Sequence, residues 1–346
     1  MSVSRSVRPR RIRGDASDAT LGPKYGKRTI VKTRTSGLTL IEILVVVSII
    51  ALLVGLLLPA VHTVQKMAKE TKQKAQFTSI ELGLAAFKSD YGDYPPSSWS
   101  NPALLGSPQD YCGAQKLAEA LLGWDLLGFH PDSGWRADGL DKAGGPMTYD
   151  PLKVNPAVVT LDKRKGRYVE LEHANAFRLG DSVVGARDGL FPDTYNGSGN
   201  APLAPRTYVL CDVFSVNDRK VVLNGPSLAI PGVAAQMVSP STPILYYKAN
   251  TASKVHADVL VDPQYRIYNV RDNWPLVSLG MLADGLKPLG QRRHHPLEDA
   301  NFFYEYIRDP KIQTRPWPYR PDSYLLISAG ADGVYGTNDD IRSFGQ

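Results

Sequence analysis

SGLTLIEILVVVSIIALLVGLLLPAVHTV, Ser36 to Val64, is the stretch on which the rest of the chain turns. A bilayer core of about 30 Å needs about 20 apolar residues at 1.5 Å each. The run from Leu38 to Val61 meets that length, and Glu42 is its one ionisable residue. A carboxylate at the centre of such a helix costs roughly 2.5–3.5 kcal/mol, less near an end. Read from the residues alone, Glu42 either snorkels to the headgroups or has a functional partner.

The flanks set the orientation. Residues 1–37 hold ten Arg or Lys and two acids, Asp15 and Asp18. A basic segment before an apolar helix stays on the cytoplasmic side, so the C-terminal portion is expected to be exported. A secretory signal has a shorter apolar region followed by a small-residue cleavage site. Here the small pair, Ser36-Gly37, precedes the run.

Gly37 followed by Leu-Thr-Leu-Ile-Glu, the apolar run and Pro59 resembles the processing motif of type IV prepilins and type II secretion pseudopilins. The resemblance implies cleavage after Gly37 by a prepilin peptidase that also methylates the new amine of Leu38. It makes Glu42 the fifth mature residue, pairing with that amine and setting subunit register. Within one helix, residues at i and i+4 also pair, so the residues leave intra- and intermolecular pairing open. Two features depart from the family: Leu38 stands where Phe is usual, and the leader is long. A start at Val31 would leave the short basic leader VKTRTSG.

The resemblance also implies partners and a location. The partners are other pilin or pseudopilin subunits, an inner-membrane assembly platform with its ATPase, and membrane lipid. The location is the bacterial inner membrane, crossed once with the C-terminal domain in the periplasm, then a filament or the cell surface. Charge gives no support to nucleic-acid binding. The whole chain is +6, and removal of the basic leader leaves a remainder near −2.

The expected organisation is a basic leader 1–37, a transmembrane segment 38–61, the soluble half of one long helix 62–92, and a globular domain 93–346. Phe77, Ile80, Leu84, Phe87 and Tyr91 recur at helical spacing and form a core-facing stripe. Gly92, Pro95 and Pro96 end the helix, and Pro59 is expected to bend it. Residues 97–205 are rich in Gly, Pro, Asp and Asn, with a short helix at 114–122. Strands are expected at 207–216, 220–223, 244–249, 266–270 and 323–328. The fold class is therefore α+β: a long N-terminal helix packed on an antiparallel sheet, pilin-like.

The C-terminal stretch LLISAGADGVYGTNDDIRSFGQ crowds oxygen ligands into a short loop. Ca²⁺ takes 6–8 oxygens at about 2.3–2.6 Å. An ordinary acidic turn is the alternative on composition. The loop also resembles the calcium loop of major pseudopilins, which implies Asp332 and Asp339 as ligands, with Asp340 or Asn338 beside them and backbone carbonyls completing the set. Asp138 and Asp141 lie in a commonplace Gly/Asp loop, and His294-His295 beside Arg292-Arg293 reads as a solvated basic loop. Cys112 and Cys211 lie in the exported part, where an even count permits one disulfide. No hydrolase, phosphate-loop or dinucleotide motif appears, and no enzymatic activity is expected. Two functions remain: a structural filament subunit, or a membrane-anchored binding or enzymatic domain exported with a prepilin-type signal.

Overall fold

The computed structural model describes residues 37, 39–99, 111–137, 139–143, 145, 148–149, 161–180, 189–191, 207–216, 220–222, 237–258, 260–285, 287 and 289–345. The chain divides into two compact units, Met1–Pro59 and Ala60–Gln346.

Helix α1 runs from Leu40 to Tyr91, 52 residues, and continues through Pro59. It is long and apolar enough to cross a membrane. In the first unit every residue from Leu40 to Pro59 is exposed, all of them apolar except Glu42 and Ser48. In the second unit the helix buries one face: Gln73, Gln76, Phe77, Ile80, Gly83, Leu84 and Phe87, with Tyr91 half-buried. This is the stripe expected from the spacing. Full burial of Ile80 and of Leu84 contributes about 1.5–3 kcal/mol each. Gly83 is required by contact: a Cβ there would stand 2.8 Å from Val169 Cγ2 and 3.1 Å from Leu121 Cδ2. Gly92, at φ +84°, ends the helix and donates from its amide to Lys88 O at 2.8 Å.

The described strands are β1 (Ala176–Arg178), β2 (Tyr208–Ser215), β3 (Val221–Val222), β4 (Met237–Val238), β5 (Ser241–Pro243), β6 (Leu245–Lys248), β7 (Tyr324–Ser328) and β8 (Ile341–Arg342). All their pairings are antiparallel. β5 and β6 are nearly one strand, separated by Ile244, whose amide donates to Leu210 O. The run pairs with β2 along one edge (Cys211 opposite Pro243) and with β7 along the other (Leu245 opposite Ile327). The two three-stranded sheets, β1–β2–β5 and β6–β7–β8, are joined through Ile244, and β3 with β4 forms a separate ribbon.

Side chains alternate across a strand, and here both faces are covered. Tyr208, Leu210, Ile244, Tyr246, Tyr324, Leu326 and Ile341 pack with Phe77, Ile80 and Leu84 of α1 and with Leu117 and Leu121 of helix α2 (Gly113–Leu122). Val209, Cys211, Leu245, Tyr247, Leu325 and Ile327 face a second core with Leu276, Phe303, Tyr304 and Ile307, drawn from the segment between β6 and β7. Two glutamines fasten α1 to the edge of β2: Val213 N donates to Gln73 Oε1 at 2.9 Å, and Gln76 Nε2 donates to Cys211 O at 2.8 Å. The α+β architecture, with a long helix against an antiparallel sheet, is as expected.

Some details differ. No strand forms at 266–270. Arg266 turns its guanidinium back onto Val261 O, and Asn269 caps a one-turn 3-10 helix at Val270–Asp272 by accepting from Arg271 N. Ile267 and Tyr268 are buried there without a ladder. The strand expected at 220–223 is described only at Val221–Val222. β1, β4, β5 and β8 went unpredicted, being two or three residues each and specified by their partners.

Candidate functional site

Two segments carry the expected chemistry. At the start of α1, Gly37 is exposed, and Leu38 lies outside the described residues. Thr39 and Glu42 close a capping box. Thr39 N and Thr39 Oγ1 donate to Glu42 Oε2 at 2.7 and 2.9 Å, and Glu42 N donates to Thr39 Oγ1 at 3.3 Å. Glu42 thus caps its own helix by satisfying an amide at its exposed end. The signal was present in the sequence as Thr-x-x-Glu, and the membrane reading of Glu42 passed over it.

The second segment is the turn between β7 and β8. Asp339 organises it: Oδ2 accepts from Ala331 N at 2.8 Å and Asp332 N at 3.0 Å, and Oδ1 accepts from Thr337 Oγ1 at 2.6 Å. Asp332 Oδ1 accepts from Val334 N at 2.8 Å. Gly330, at φ +65°, allows the strands to close, because a Cβ there would lie 2.3 Å from Asp339 O. Burial opposes ionisation of Asp339, yet the hydrogen bonds from Thr337, Asp332 and Ala331 outweigh it and hold its carboxyl below the usual range. Burial and then the Asp339 charge raise the Asp332 carboxyl. The turn therefore brings Asp332 and Asp339 together.

Asp340 points elsewhere. Its Oδ2 accepts from Gly336 N at 2.7 Å and from the Tyr306 hydroxyl. Its carboxyl is pushed up to about 6, chiefly by burial, with the charges of Asp339 and Asp332 adding to it. Asn338, Asp339 and Asp340 line a cleft of about 350 Å³ opposite Lys66, Glu70 and Lys74 of α1. Among the described residues, no three His, Cys, Asp or Glu side chains are arranged to hold a metal.

Beneath the turn lies a carboxylate that the sequence reading missed. Asp212, in β2, is fully buried, and burial raises its carboxyl well above the usual range. Ser328 Oγ donates to its Oδ2 at 3.1 Å and accepts from Gly330 N at 3.3 Å, linking β2 to the base of the turn. Its one visible signal was an acid inside the otherwise apolar strand YVLCDVFS.

Cys112 and Cys211 are both free and both buried, so the disulfide that the sequence permits is not formed here. Each is a small apolar residue of the core. Burial pushes the Cys112 thiol up to about 12 and raises that of Cys211 as well. The pair His294-His295 splits. His294 is exposed and bonds Glu298 at 2.7 Å. His295 is buried under the acidic turn, accepts from Tyr335 N at 3.2 Å, and is pushed down to about 4 by burial. Asp141 Oδ1 accepts from the amides of Ala143 and Gly145 in a turn, while Asp138 lies outside the described residues.

Comparison with known proteins bears on the N-terminal part. There the chain is similar to type II secretion system core protein G of Pseudomonas aeruginosa, with 36% identity over 77 residues. It is likewise similar to type II secretion system core protein G of Aeromonas hydrophila, with 31% identity over 77 residues. In each case the match covers 22% of this chain and 54% of the relative, so the chain spans about half the length of the curated relatives it matches. The pseudopilin resemblance read from the motif is thereby shown. No protein-family model matches the chain, and no solved structure matches it.

Proposed function

We propose that the chain is a structural subunit of a type II secretion pseudopilus or related type IV pilus-like filament. The observation that carries this reading is the N-terminal segment. A helix that is uncovered from Leu40 to Pro59 and apolar there apart from Glu42 and Ser48 carries its carboxylate at its third residue, in the part similar to core protein G. In this reading a prepilin peptidase cuts after Gly37 and methylates Leu38. The helix anchors the chain in the inner membrane with the second unit in the periplasm. Assembly then packs the exposed apolar helix against those of other subunits, driven by a platform protein and its ATPase. Glu42 meets the Leu38 amine of a neighbour, and a carboxylate retained for register is the best-attested use of a buried charge.

The same reading gives the C-terminal turn a Ca²⁺ ion. Asp332 and Asp339 are the side chains that would hold it, and what supports the assignment is that the turn brings the two together, with the Asp339 charge raising the Asp332 carboxyl. The ion would supply positive charge between them. Asp340 would stay on Tyr306 and Gly336 as a brace for the turn. The test of the whole reading is the mature N-terminus. Mass spectrometry of protein extracted from membranes of cells with an active prepilin peptidase should find methylated Leu38 first. An intact leader in such cells would overturn it.

A further inference from the structure

Between Val61, where the apolar run ends, and Gln73, the first buried residue of α1, lies a stretch of helix that the domain scarcely covers. Every side chain described there is exposed except the half-buried Glu70. At 1.5 Å per residue the stretch is about 18 Å long. Lys69 and Lys66 stand four and seven residues before Gln73, so they continue the buried stripe of α1 toward the membrane. There lysines take the place of the apolar residues.

Lys66, Lys69 and Lys72 meet one acid in this stretch, Glu70. Lys66 Nζ lies 4.0 Å from Glu70 Oε1 on open surface, a pair worth little. Among the described residues, Lys69 and Lys72 have no carboxylate partner. Lys74, on the next turn, instead lines the cleft opposite Asp339 and Asp340, and Lys66 stands at the edge of the same cleft.

Position decides what meets these charges. The headgroup layer extends about 5–7 Å beyond the hydrocarbon core. Measured along the helix from Val61, Lys66 is about 7.5 Å away, Lys69 about 12 Å and Lys72 about 16.5 Å. Lysine stems bend toward the interface, and the field of a charged surface reaches about 8 Å at physiological salt. Lys66 and Lys69 therefore stand at the headgroups, and Lys72 at the limit of their field. Orientation does not account for the lysines. Bases flanking a span hold that end in the cytoplasm, and these lie at the end that the leader's charge directs outward.

We propose that Lys66, Lys69 and Lys72 gather anionic phospholipid in the leaflet on the exported side, with headgroup phosphates meeting the ammonium groups of Lys66 and Lys69. A cationic cluster beside a span suits such headgroups. The inference rests on the reading that α1 crosses the membrane with the second unit outside, and it narrows the lipid partner to one headgroup charge.

The test uses the full chain, one copy per nanodisc, in equal phosphatidylcholine and phosphatidylglycerol, so that no second copy supplies an acid. Gln65→Cys, on the exposed helix, carries a nitroxide that broadens nearby phosphorus NMR signals. The leader, at the other end of the span, is too far from the label to contribute. Phosphatidylglycerol should be broadened at least about threefold more than phosphatidylcholine, since one lysine near an anionic surface is worth about fivefold. Lys66→Gln with Lys69→Gln should bring the ratio close to one, Lys66→Arg with Lys69→Arg should keep it, and 1 M salt should reduce it. Lys311→Gln, exposed elsewhere on the domain, should leave it unchanged. Equal broadening of the two lipids around the unsubstituted lysines, a ratio unmoved by the glutamine pair, or an equal fall with Lys311→Gln would each overturn the proposal and leave the membrane reading standing. A chain that does not copurify with the discs would overturn both.

Discussion

His295 offers the sharpest quantitative test of how the acidic turn is held. Its ring is 4% exposed, lies 4.7 Å from the Tyr335 ring, and accepts from Tyr335 N through Nδ1. That hydrogen bond requires an unprotonated Nδ1. Burial pushes the imidazole from 6.5 down to about 4. A group whose folded value is depressed contributes stability that is complete above its unfolded value and is lost as pH falls toward the folded one. The window is thus about pH 6.5 to 4, with full loss at its lower end worth about 3 kcal/mol at 1.36 kcal/mol per unit. Between pH 7.5 and pH 5 the loss should be about 2 kcal/mol. His295→Asn places a carbonyl where Nδ1 stood and removes the titration. The substitution itself should cost about 1–3 kcal/mol at pH 7.5, through lost packing. Urea denaturation of the full chain in nanodiscs, followed by tryptophan fluorescence at both pH values, isolates the effect. Other groups contribute to both proteins, so the wild type should lose about 2 kcal/mol more than the variant on going to pH 5. Equal losses would show that His295 is not held neutral by the fold.

The remaining predictions concern the two candidate segments and the thiols. Glu42→Val should leave membrane insertion intact and improve it by about a kcal/mol or more, lose a helix cap worth about 0.5–2 kcal/mol, and fail to enter filaments. Normal co-assembly with wild type, seen by microscopy, would remove the register role. In a thermal melt, Ca²⁺ at a hundredfold excess over Kd should stabilise the protein by about 2.7 kcal/mol relative to chelator, and more than Mg²⁺ does, because Mg²⁺ demands a stricter octahedron. Asp339→Ala should abolish that gain and cost about 1–3 kcal/mol even in chelator, since it strands the amides of Ala331 and Asp332 and the Thr337 hydroxyl. Identical melting with and without calcium would return the loop to an acidic turn. Cys112 and Cys211 should resist maleimide until urea is added, and reductant should leave the melting temperature unchanged. A reductant-sensitive melt would restore the disulfide.

What could be read without the structure was local in the chain. The apolar run after Gly37, the 77-80-84-87 spacing in α1 and the Gly92 stop each depend on neighbours within a turn or two, as helices do. The long strands β2, β6 and β7 were legible because apolar β-formers fill them. The Asp-rich C-terminal turn was visible as composition, although its internal roles were not. Asp339 is the organiser, and Asp340 is drawn away by Tyr306, 34 residues earlier.

Tertiary structure decided the rest, because the determining partners lie far off in sequence. Two- and three-residue strands such as β5 and β8 exist only through the ladders their neighbours offer. Asp212 and His295 look like ordinary polar residues until the fold buries them beneath the turn. Cys112 and Cys211 are unbonded, both packed as small apolar residues in one core. The N-terminal chemistry is the converse case. An apolar helix that no other part of the described chain covers needs no distant residue to define it, so its extent could be read from the sequence alone. The packing of the domain that follows could not.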